Sequence, residues 1–437
     1  MRGMILKRSI PATGVSRLAS IAVGAALLAL SVSASAAPAA DADLIARGAY
    51  LAKAGDCIAC HTATRGKPFS GGLPMNTPMG RIYSTNITPD AETGIARYSE
   101  ADFAAAMRKG VAKDGHNLYP AMPYPSYART SDADIHALYA YFMRGVQPVS
   151  QPNRKPDIPW PLNARWPLKF WNLLFVDDAP YQDVPGKDAQ WNRGAYLVQT
   201  LGHCGACHTA RGIAFQEKAL NERGTAFLGG AALDGWFASN LTGDSNTGLG
   251  RWSEEDVALF LRTGANRQAT AFGPMTDVIN HSTQYLSDAD RAAMARYLKS
   301  LGPTRGSGDG VPYDGSTTGA MAHAMAGGQL GAATYATYCL HCHGVTGRGY
   351  APLLAPLAGN PNALEKDPSS LINVVLNGTG ALKIQGVPAP YPMPAYRRTL
   401  SDQEVADVVT YIRHSWGNGQ TEPVSAYRVR GLREATR

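Results

Sequence analysis

All six cysteines of this chain belong to three copies of one short pattern, C-x-x-C-H. The pairs are Cys57 with Cys60, Cys204 with Cys207, and Cys339 with Cys342, and they are followed directly by His61, His208 and His343. Two thiols at this spacing can add to the two vinyl groups of one haem, and the adjoining histidine then lies under the iron as its proximal ligand. A redox C-x-x-C pair or a zinc site also uses such cysteines, but three widely separated copies with no spare cysteine argue against both. The sequence therefore predicts three covalently bound haems c.

The first 36 residues have the organisation of a secretory signal peptide. A basic start is followed by an apolar run over residues 18–32 and by Ala34-Ser35-Ala36, which matches an A-x-A cleavage site. The apolar run is shorter than the roughly 20 residues that a membrane span needs, so we expect cleavage rather than retention as an anchor. Haem attachment of this kind belongs outside the cytoplasm, so the sequence predicts a periplasmic protein.

The charge of the chain restricts the class of partner. The formal net charge is +7, and cleavage removes four positive and no negative charges, which leaves +3. Part of the basic balance is therefore a targeting effect, and nothing in the mature sequence indicates a nucleic-acid partner. The mature sequence contains no other stretch that is long and apolar enough to span a membrane, so we expect any membrane contact to be peripheral or made through partners.

An internal repeat divides the mature chain of about 400 residues, which is too long for one core. Arg47-Gly48-Ala49-Tyr50-Leu51 precedes the first motif and Arg193-Gly194-Ala195-Tyr196-Leu197 precedes the second, and each run predicts an entering helix. Capped helices follow each motif, and the closing helix should pack across the entering one. The predicted class is all-α. The expected segments are a signal peptide over residues 1–36, domains over 41–144, 190–302 and 327–416, a Pro/Trp-rich linker over 145–189, a flexible linker over 303–326, and a basic tail over 417–437.

Each repeat also places a methionine in a proline-containing loop after its histidine. The three are Met122 in Tyr119-Pro120-Ala121-Met122-Pro123, Met275 in Phe272-Gly273-Pro274-Met275, and Met393 in Tyr391-Pro392-Met393-Pro394. A loop stiffened by proline can hold a thioether over the open face of the iron. A methionine can also fill a gap in the core, but the same aromatic-then-methionine pattern at three equivalent places favours a distal ligand.

Two segments depart from the repeat pattern. Within the linker over 145–189, Trp160, Trp166 and Trp171 stand among many prolines. Such a segment can pack on its own two domains, or it can dock on a partner subunit or a lipid surface, and the sequence leaves both open. The arginine-rich tail after Gly417 is predicted to be a solvated extension.

Several sequence runs resemble those of a known family. Besides the three C-x-x-C-H motifs they are Asn86-Ile87-Thr88-Pro89-Asp90, Leu118-Tyr119-Pro120-Ala121-Met122-Pro123-Tyr124, Trp191-Asn192-Arg193-Gly194-Ala195-Tyr196-Leu197-Val198 and Phe272-Gly273-Pro274-Met275. Together they resemble the triple-haem cytochrome c subunit of bacterial membrane-bound dehydrogenases, which include gluconate 2-dehydrogenase, its flavin-dependent sugar relatives and quinoprotein alcohol dehydrogenase. The resemblance covers nearly all of the mature chain and implies three tandem class I-like cytochrome c domains.

The same resemblance implies electron transfer without a catalytic site of the chain's own. In that family a separate catalytic subunit, with flavin or pyrroloquinoline quinone, oxidises the substrate, and the cytochrome subunit carries electrons to membrane ubiquinone. The expected location is the periplasm, at the periplasmic face of the cytoplasmic membrane. Two alternatives are a soluble periplasmic multihaem shuttle, and a haem peroxidase or reductase, which would need one haem without its distal methionine.

Overall fold

The computed structural model describes residues 36–304, 312–316, 328–420 and 422–436. The predicted signal peptide, apart from its last residue, and most of the predicted linker over 303–326 lie outside these residues. The helices are α1 (Ala36–Ala54), α2 (Cys57–Cys60), α3 (Glu100–Lys109), α4 (Tyr124–Tyr127), α5 (Asp132–Ala140), α6 (Leu168–Phe175), α7 (Ala189–Gln199), α8 (Gly205–His208), α9 (Glu254–Thr263), α10 (Pro274–His281), α11 (Asp288–Lys299), α12 (Ala332–Tyr338), α13 (Leu340–His343), α14 (Pro361–Leu364), α15 (Ser369–Asn377), α16 (Asp402–His414) and α17 (Ala426–Ala435). A π-helical turn over Tyr141–Gly145 extends α5, and a 3₁₀ turn over Thr283–Tyr285 precedes α11.

The mainly helical class is confirmed, and the structure adds two β-hairpins that were not predicted from the sequence. Strands β1 (Pro74–Thr77) and β2 (Gly80–Tyr83) form an antiparallel hairpin in the first repeat. Strands β3 (Ala231–Leu233) and β4 (Trp236–Ala238) form the corresponding hairpin in the second. Each hairpin follows a C-x-x-C-H motif, and the chain after its second strand returns to the histidine of that motif.

Glycine allows the entering helix of each repeat to cross the closing helix at very short range. A Cβ on Gly194 in α7 would lie 1.9 Å from the carbonyl oxygen of Ala293 in α11. A Cβ on Gly48 in α1 would lie 2.0 Å from the carbonyl oxygen of Ala137 in α5, and one on Gly331 would lie 2.2 Å from a carbonyl oxygen of α16. Because no side chain fits at such distances, glycine is required here, and the predicted packing of closing on entering helix is confirmed.

Serine caps begin the helices that the repeat pattern predicted. Ser99, Ser253 and Ser401 form complete capping boxes, each with an acid three residues later. Ser131 and Ser287 cap the closing helices α5 and α11 by accepting hydrogen bonds from the backbone of the third helical residue. In these two helices the acid at the third position uses its carboxylate for a different contact.

Those two carboxylates, of Asp134 and Asp290, join the first two repeats to each other. Each accepts hydrogen bonds from an arginine of its own repeat and from a tyrosine of the other repeat. The bonds run from Arg47 (2.6 Å) and Tyr196 (2.6 Å) to Asp134, and from Arg193 (2.8 Å) and Tyr50 (2.5 Å) to Asp290. Burial alone would raise the pKa of Asp290, but the hydrogen bonds from Arg193 and Tyr50 outweigh it and hold that pKa below its ordinary value. Because the two tyrosines occupy the same place in their repeats, the interface has approximate twofold symmetry.

The third repeat packs on the second through a separate set of contacts. Ser370 in α15 exchanges hydrogen bonds with the backbone N–H and carbonyl of Phe237 in β4, at 2.9 and 3.0 Å. Leu382 joins Ala271 and Ile279 in a small buried cluster between the two repeats. The second repeat therefore contacts both of the others.

The basic tail forms helix α17 on the third repeat. Val429 is fully buried there, and Arg433 donates to Asp402 at 2.7 Å across a separation of 31 residues. Arg428 donates to Asp367 at 2.6 Å. The prediction of a solvated extension was wrong, because the acids that pair with these arginines lie far away in the sequence.

Candidate haem sites

Each C-x-x-C-H motif folds into a short helix, namely α2, α8 or α13 with its flanking residues. All six cysteines are free of disulfide bonds. Burial raises the pKa of Cys57, Cys204 and Cys339 to about 12. The described residues contain no group of three or more His, Cys, Asp or Glu side chains placed to hold a metal ion. This arrangement of the described residues disfavours the zinc alternative.

In all three motifs the histidine is oriented by a backbone carbonyl. The Nδ1 distances are 2.7 Å from His61 to the oxygen of Thr85, 2.6 Å from His208 to that of Ser239, and 2.9 Å from His343 to that of Ala355. Burial lowers the pKa of each ring more than this hydrogen bond raises it, so the rings are neutral near pH 7. A neutral imidazole that donates from Nδ1 keeps Nε2 as an acceptor, which is the form that binds a haem iron.

The two hairpins place these acceptor carbonyls. Strand β2 ends two residues before Thr85, and β4 ends directly before Ser239. In the third repeat an isolated bridge between Tyr350 and Leu354 takes the place of a hairpin just before Ala355. The hairpins were not predicted from the sequence, yet they place the carbonyls that orient His61 and His208.

A glycine completes the backbone frame around each histidine. Gly71, Gly230 and Gly349 each donate their N–H to the carbonyl oxygen of the motif histidine, at 2.8, 2.8 and 3.0 Å. Each has a positive φ, of 74°, 92° and 58°, which a residue with a side chain rarely adopts. The contact of these glycines with the histidine carbonyl is a finding of the structure.

The three candidate distal ligands lie partly buried against the core of their own repeat. Met122 and Met275 border the cluster shared by the first two repeats, which Cys57 and Cys204 also border, whereas Met393 borders the cluster of the third repeat that contains Cys339. Met122 and Met393 lie in non-helical segments, as predicted. Met275 instead lies in the first turn of α10, because Pro274 starts a helix at that point.

Hydrogen bonds fix the backbone of the two loop methionines. Met393 donates its N–H to Thr379 Oγ1 at 2.8 Å, and its carbonyl accepts from the Thr379 N–H at 3.1 Å. Met122 donates to the carbonyl of Tyr119 at 3.2 Å, and its own carbonyl accepts from Tyr124 at 2.8 Å. These bonds hold two thioether side chains in place without regular secondary structure, which is what a fixed axial ligand requires.

The first and second motifs face each other across the interface between their repeats. Helix α2 contacts α10. Burial, followed by the charges of Asp56, Cys207 and Asp277, raises the pKa of Cys60 to about 11, and two of these three neighbours belong to the second repeat. The Cys60 and Cys207 thiols therefore lie near each other across this interface.

Two buried acids beside the motifs were not singled out from the sequence. Asp56, directly before Cys57, is 8% exposed, and burial followed by the charge of Asp277 raises its pKa to about 8. Glu217 lies so close to the second motif that a Cβ on Gly205 would approach its Oε2 to 2.4 Å, and burial raises its pKa to about 7. The position before Cys57 was the one available signal for Asp56. No local signal marked Glu217, because a loop brings it back to its motif.

Comparison with known proteins decides the family. The model of the cytochrome c family matches residues 45–145, 192–302 and 328–416, so that each match contains one C-x-x-C-H motif. The chain belongs to the cytochrome c family. Membership implies covalently bound haem c, which fits the disulfide-free cysteines and the neutral histidines of the sites.

Relatives that match nearly the whole chain narrow the family further. The chain is 53% identical to the gluconate 2-dehydrogenase cytochrome c subunit of Pantoea cypripedii over 396 residues. This alignment covers 90% of each protein. It is 47% identical over 416 residues to the cytochrome c subunit of the quinone alcohol dehydrogenase of Gluconobacter oxydans (94% of this chain, 87% of the relative). It is 37% identical over 409 residues to the fructose dehydrogenase cytochrome subunit of Gluconobacter japonicus (89% and 82%). The predicted relationship to dehydrogenase cytochrome c subunits is confirmed, and it implies electron transfer. Within the described ranges, the helices lack the combined length and apolar character that crossing a membrane requires.

Proposed function

We propose that this protein passes electrons from a partner dehydrogenase through three covalent haems c to membrane ubiquinone. The observation that carries the proposal is one arrangement that recurs three times. It comprises a C-x-x-C-H helix, a histidine that donates to a backbone carbonyl, and a partly buried methionine on the same core. In the proposal the axial pairs are His61 with Met122, His208 with Met275, and His343 with Met393.

Histidine and methionine together suit a carrier of electrons. This ligation gives a higher reduction potential than two nitrogen ligands, and burial and hydrogen bonding around each site then separate the three potentials. The three surroundings differ, since two sites share one core cluster and the third has its own. An enzyme that acts at an open haem would need a site without a distal ligand, whereas each motif here is followed by its own methionine.

The proposed partner is a separate catalytic subunit that carries flavin or pyrroloquinoline quinone. The relatives are named for complexes that oxidise gluconate, an alcohol or fructose, so we propose a sugar, sugar acid or alcohol as the substrate of that partner. The proposed location is the periplasmic face of the cytoplasmic membrane, which ubiquinone can reach from the bilayer. The soluble shuttle and the peroxidase or reductase remain the alternatives to test.

Replacing Met393 by alanine should remove one axial thioether while leaving the covalent haem in place. We expect the near-infrared sulfur-to-iron band of the oxidised protein to fall by about a third and the third haem to bind carbon monoxide, because its sixth position opens. Met75→Ala, a partly buried methionine of β1 outside the candidate sites, should leave both readouts unchanged. Tight carbon monoxide binding by the unaltered protein would instead favour a haem enzyme.

Copurification from the native bacterium tests the function as a whole. A tagged copy of the chain, extracted from membranes in mild detergent, should bring with it a larger subunit. Gluconate, a sugar or an alcohol should then reduce the haems, and a water-soluble ubiquinone analogue should reoxidise them. Recovery of the chain from the periplasmic fraction without a partner would support the shuttle. Turnover of peroxide by the chain alone would support the enzyme.

A further inference from the structure

The third repeat holds the β3–β4 hairpin of the second repeat in place. Ser370 in α15 accepts a hydrogen bond from the N–H of Phe237 at 2.9 Å and donates one to the carbonyl of the same residue at 3.0 Å. Asn373 on the same helix donates to the carbonyl of Gly235, in the turn of the hairpin, at 3.0 Å. Ser370 and Asn373 are only 2% and 1% exposed, so water competes little for these bonds. The hairpin is therefore fixed by a helix that belongs to another repeat.

A further hydrogen bond reaches the residue whose carbonyl orients the second motif histidine. The Ser239 hydroxyl donates to Oδ1 of Asn362 in α14 at 3.1 Å, across a separation of 123 residues. The carbonyl oxygen of the same serine lies 2.6 Å from Nδ1 of His208. Asn362 is itself buried, and its backbone N–H donates to Oδ1 of Asn360 at 3.0 Å. Ser239 thus joins the third repeat, through its side chain, to the histidine of the second motif, through its backbone.

The other two motif histidines are oriented in a different way. The β1–β2 hairpin of the first repeat is held by the linker, where Asp157 accepts from the Tyr83 hydroxyl at 2.7 Å. In the third repeat the acceptor is the carbonyl of Ala355, which lies only 12 residues from His343 in the chain. Within the part of the chain that the structure describes, the link through a neighbouring repeat is therefore a property of the second site.

The hydrogen bond at Nδ1 of a ligating histidine influences how strongly the ring donates to its metal ion. A stronger bond makes the imidazole more basic, which stabilises ferric iron and lowers the reduction potential. We propose that Asn362 and Ser370 are positioning residues for the second haem, because they fix the carbonyl of Ser239 against His208. The inference rests on the proposed function, in which His208 is the proximal ligand of a covalent haem c. Docking of the third repeat then holds the potential of the second haem down.

Redox titration of the haem-loaded full chain tests this proposal. Asn362→Ala removes the acceptor of the Ser239 hydroxyl, and Ser370→Ala removes both of its bonds to the hairpin. Each should shift the equilibrium of the second haem toward the ferrous form by about threefold, which is about 30 mV for a one-electron couple. The first and third haems should keep their potentials. Haem methyl signals in paramagnetic NMR identify the second haem, since the variant Cys204→Ala with Cys207→Ala lacks them.

The chain offers a matched control and a conservative rescue. Ser369 adjoins Ser370 in α15, but its hydroxyl accepts from Arg428 of the tail at 3.1 Å, so Ser369→Ala should leave all three potentials unchanged. Ser239→Ala should shift the second potential as Asn362→Ala does, whereas Ser239→Thr keeps a hydroxyl and should restore it. Combining Ser239→Ala with Asn362→Ala should add little to either shift, because both remove the same bond.

The proposal is overturned if the second potential is unchanged in both Asn362→Ala and Ser239→Ala. Ser239 is only partly buried, so its alanine variant keeps the test decisive if Asn362→Ala folds poorly. A shift of equal size in Ser369→Ala, or equal shifts of all three haems, would also overturn it, since either result would indicate a general loosening of the fold. Mass spectrometry of the same samples counts the covalent haems. Fewer than three in the unaltered protein would contradict the proposed function, whereas three haems with unshifted potentials would contradict this inference alone.

Discussion

Replacing Cys204 and Cys207 together by alanine is expected to lower the covalently bound haem from three per chain to two. All six cysteines lie in the three motifs, so each pair is the one source of thioether bonds for its haem. Mass spectrometry of the denatured protein and its haem absorbance should both show the loss. Because the second repeat contacts both of the others, the variant should also fail to pass electrons between the first and third sites.

The pair Cys339→Ala with Cys342→Ala provides the comparison. It should also remove one haem, but it leaves intact the first and second motifs, which face each other across their interface. The two remaining haems should therefore still exchange electrons in stopped-flow reduction. A reactive thiol in the unaltered protein, or a mass that corresponds to two haems, would contradict the assignment of all six cysteines to haem attachment.

Replacing Gly194 by alanine is expected to destabilise the protein by about 3 kcal/mol, the upper part of the usual range for overpacking. The new Cβ would lie 1.9 Å from the carbonyl oxygen of Ala293, so helices α7 and α11 would have to separate. Chemical denaturation followed by circular dichroism measures the change. The matched control is Gly431→Ala in α17, where the new Cβ would meet no atom within 4 Å apart from the adjoining residues and the backbone of its own helix. That substitution should be neutral or stabilise by about 0.5 kcal/mol, since alanine is the better helix former.

Equal stability of the Gly194→Ala variant and the unaltered protein would contradict the close crossing of the two helices. Gly48→Ala should behave like Gly194→Ala, because the corresponding distance in the first repeat is 2.0 Å. A loss at both positions without a loss at Gly431 would show that the crossing, rather than helix propensity, requires glycine.

The pairing of the first two repeats makes them one structural unit. Tyr50 and Tyr196 donate to the acid of the opposite repeat, and the two motifs then face each other. A single-repeat protein would leave both tyrosines and much of the shared core in water. The repeats are therefore parts of one assembly in which the sites have fixed separations, as a stepwise relay requires.

Patterns within a few residues of each other were sufficient to predict the helical framework. Complete capping boxes form at Ser99, Ser253 and Ser401, because a cap is a contact between residues three positions apart. The same local pattern at Ser131 and Ser287 also predicts complete boxes, but there the acids turn to the interface between the repeats instead. Met275 was placed in a loop by analogy with its counterparts, although Pro274 favours the first turn of a helix. The axial role of the three methionines stays a prediction.

The sequence by itself determined the number and kind of the motifs, because covalent haem attachment depends on cysteines and a histidine that are adjacent in the chain. It also determined the helical class and the family. The tertiary structure alone showed which carbonyl holds each histidine, how Tyr50 and Tyr196 exchange partners, and that the tail folds back on the third repeat. It also showed that α6 presents its apolar side outward. Each of these depends on contacts between residues that are distant in the chain, and such contacts leave no local pattern from which to predict them.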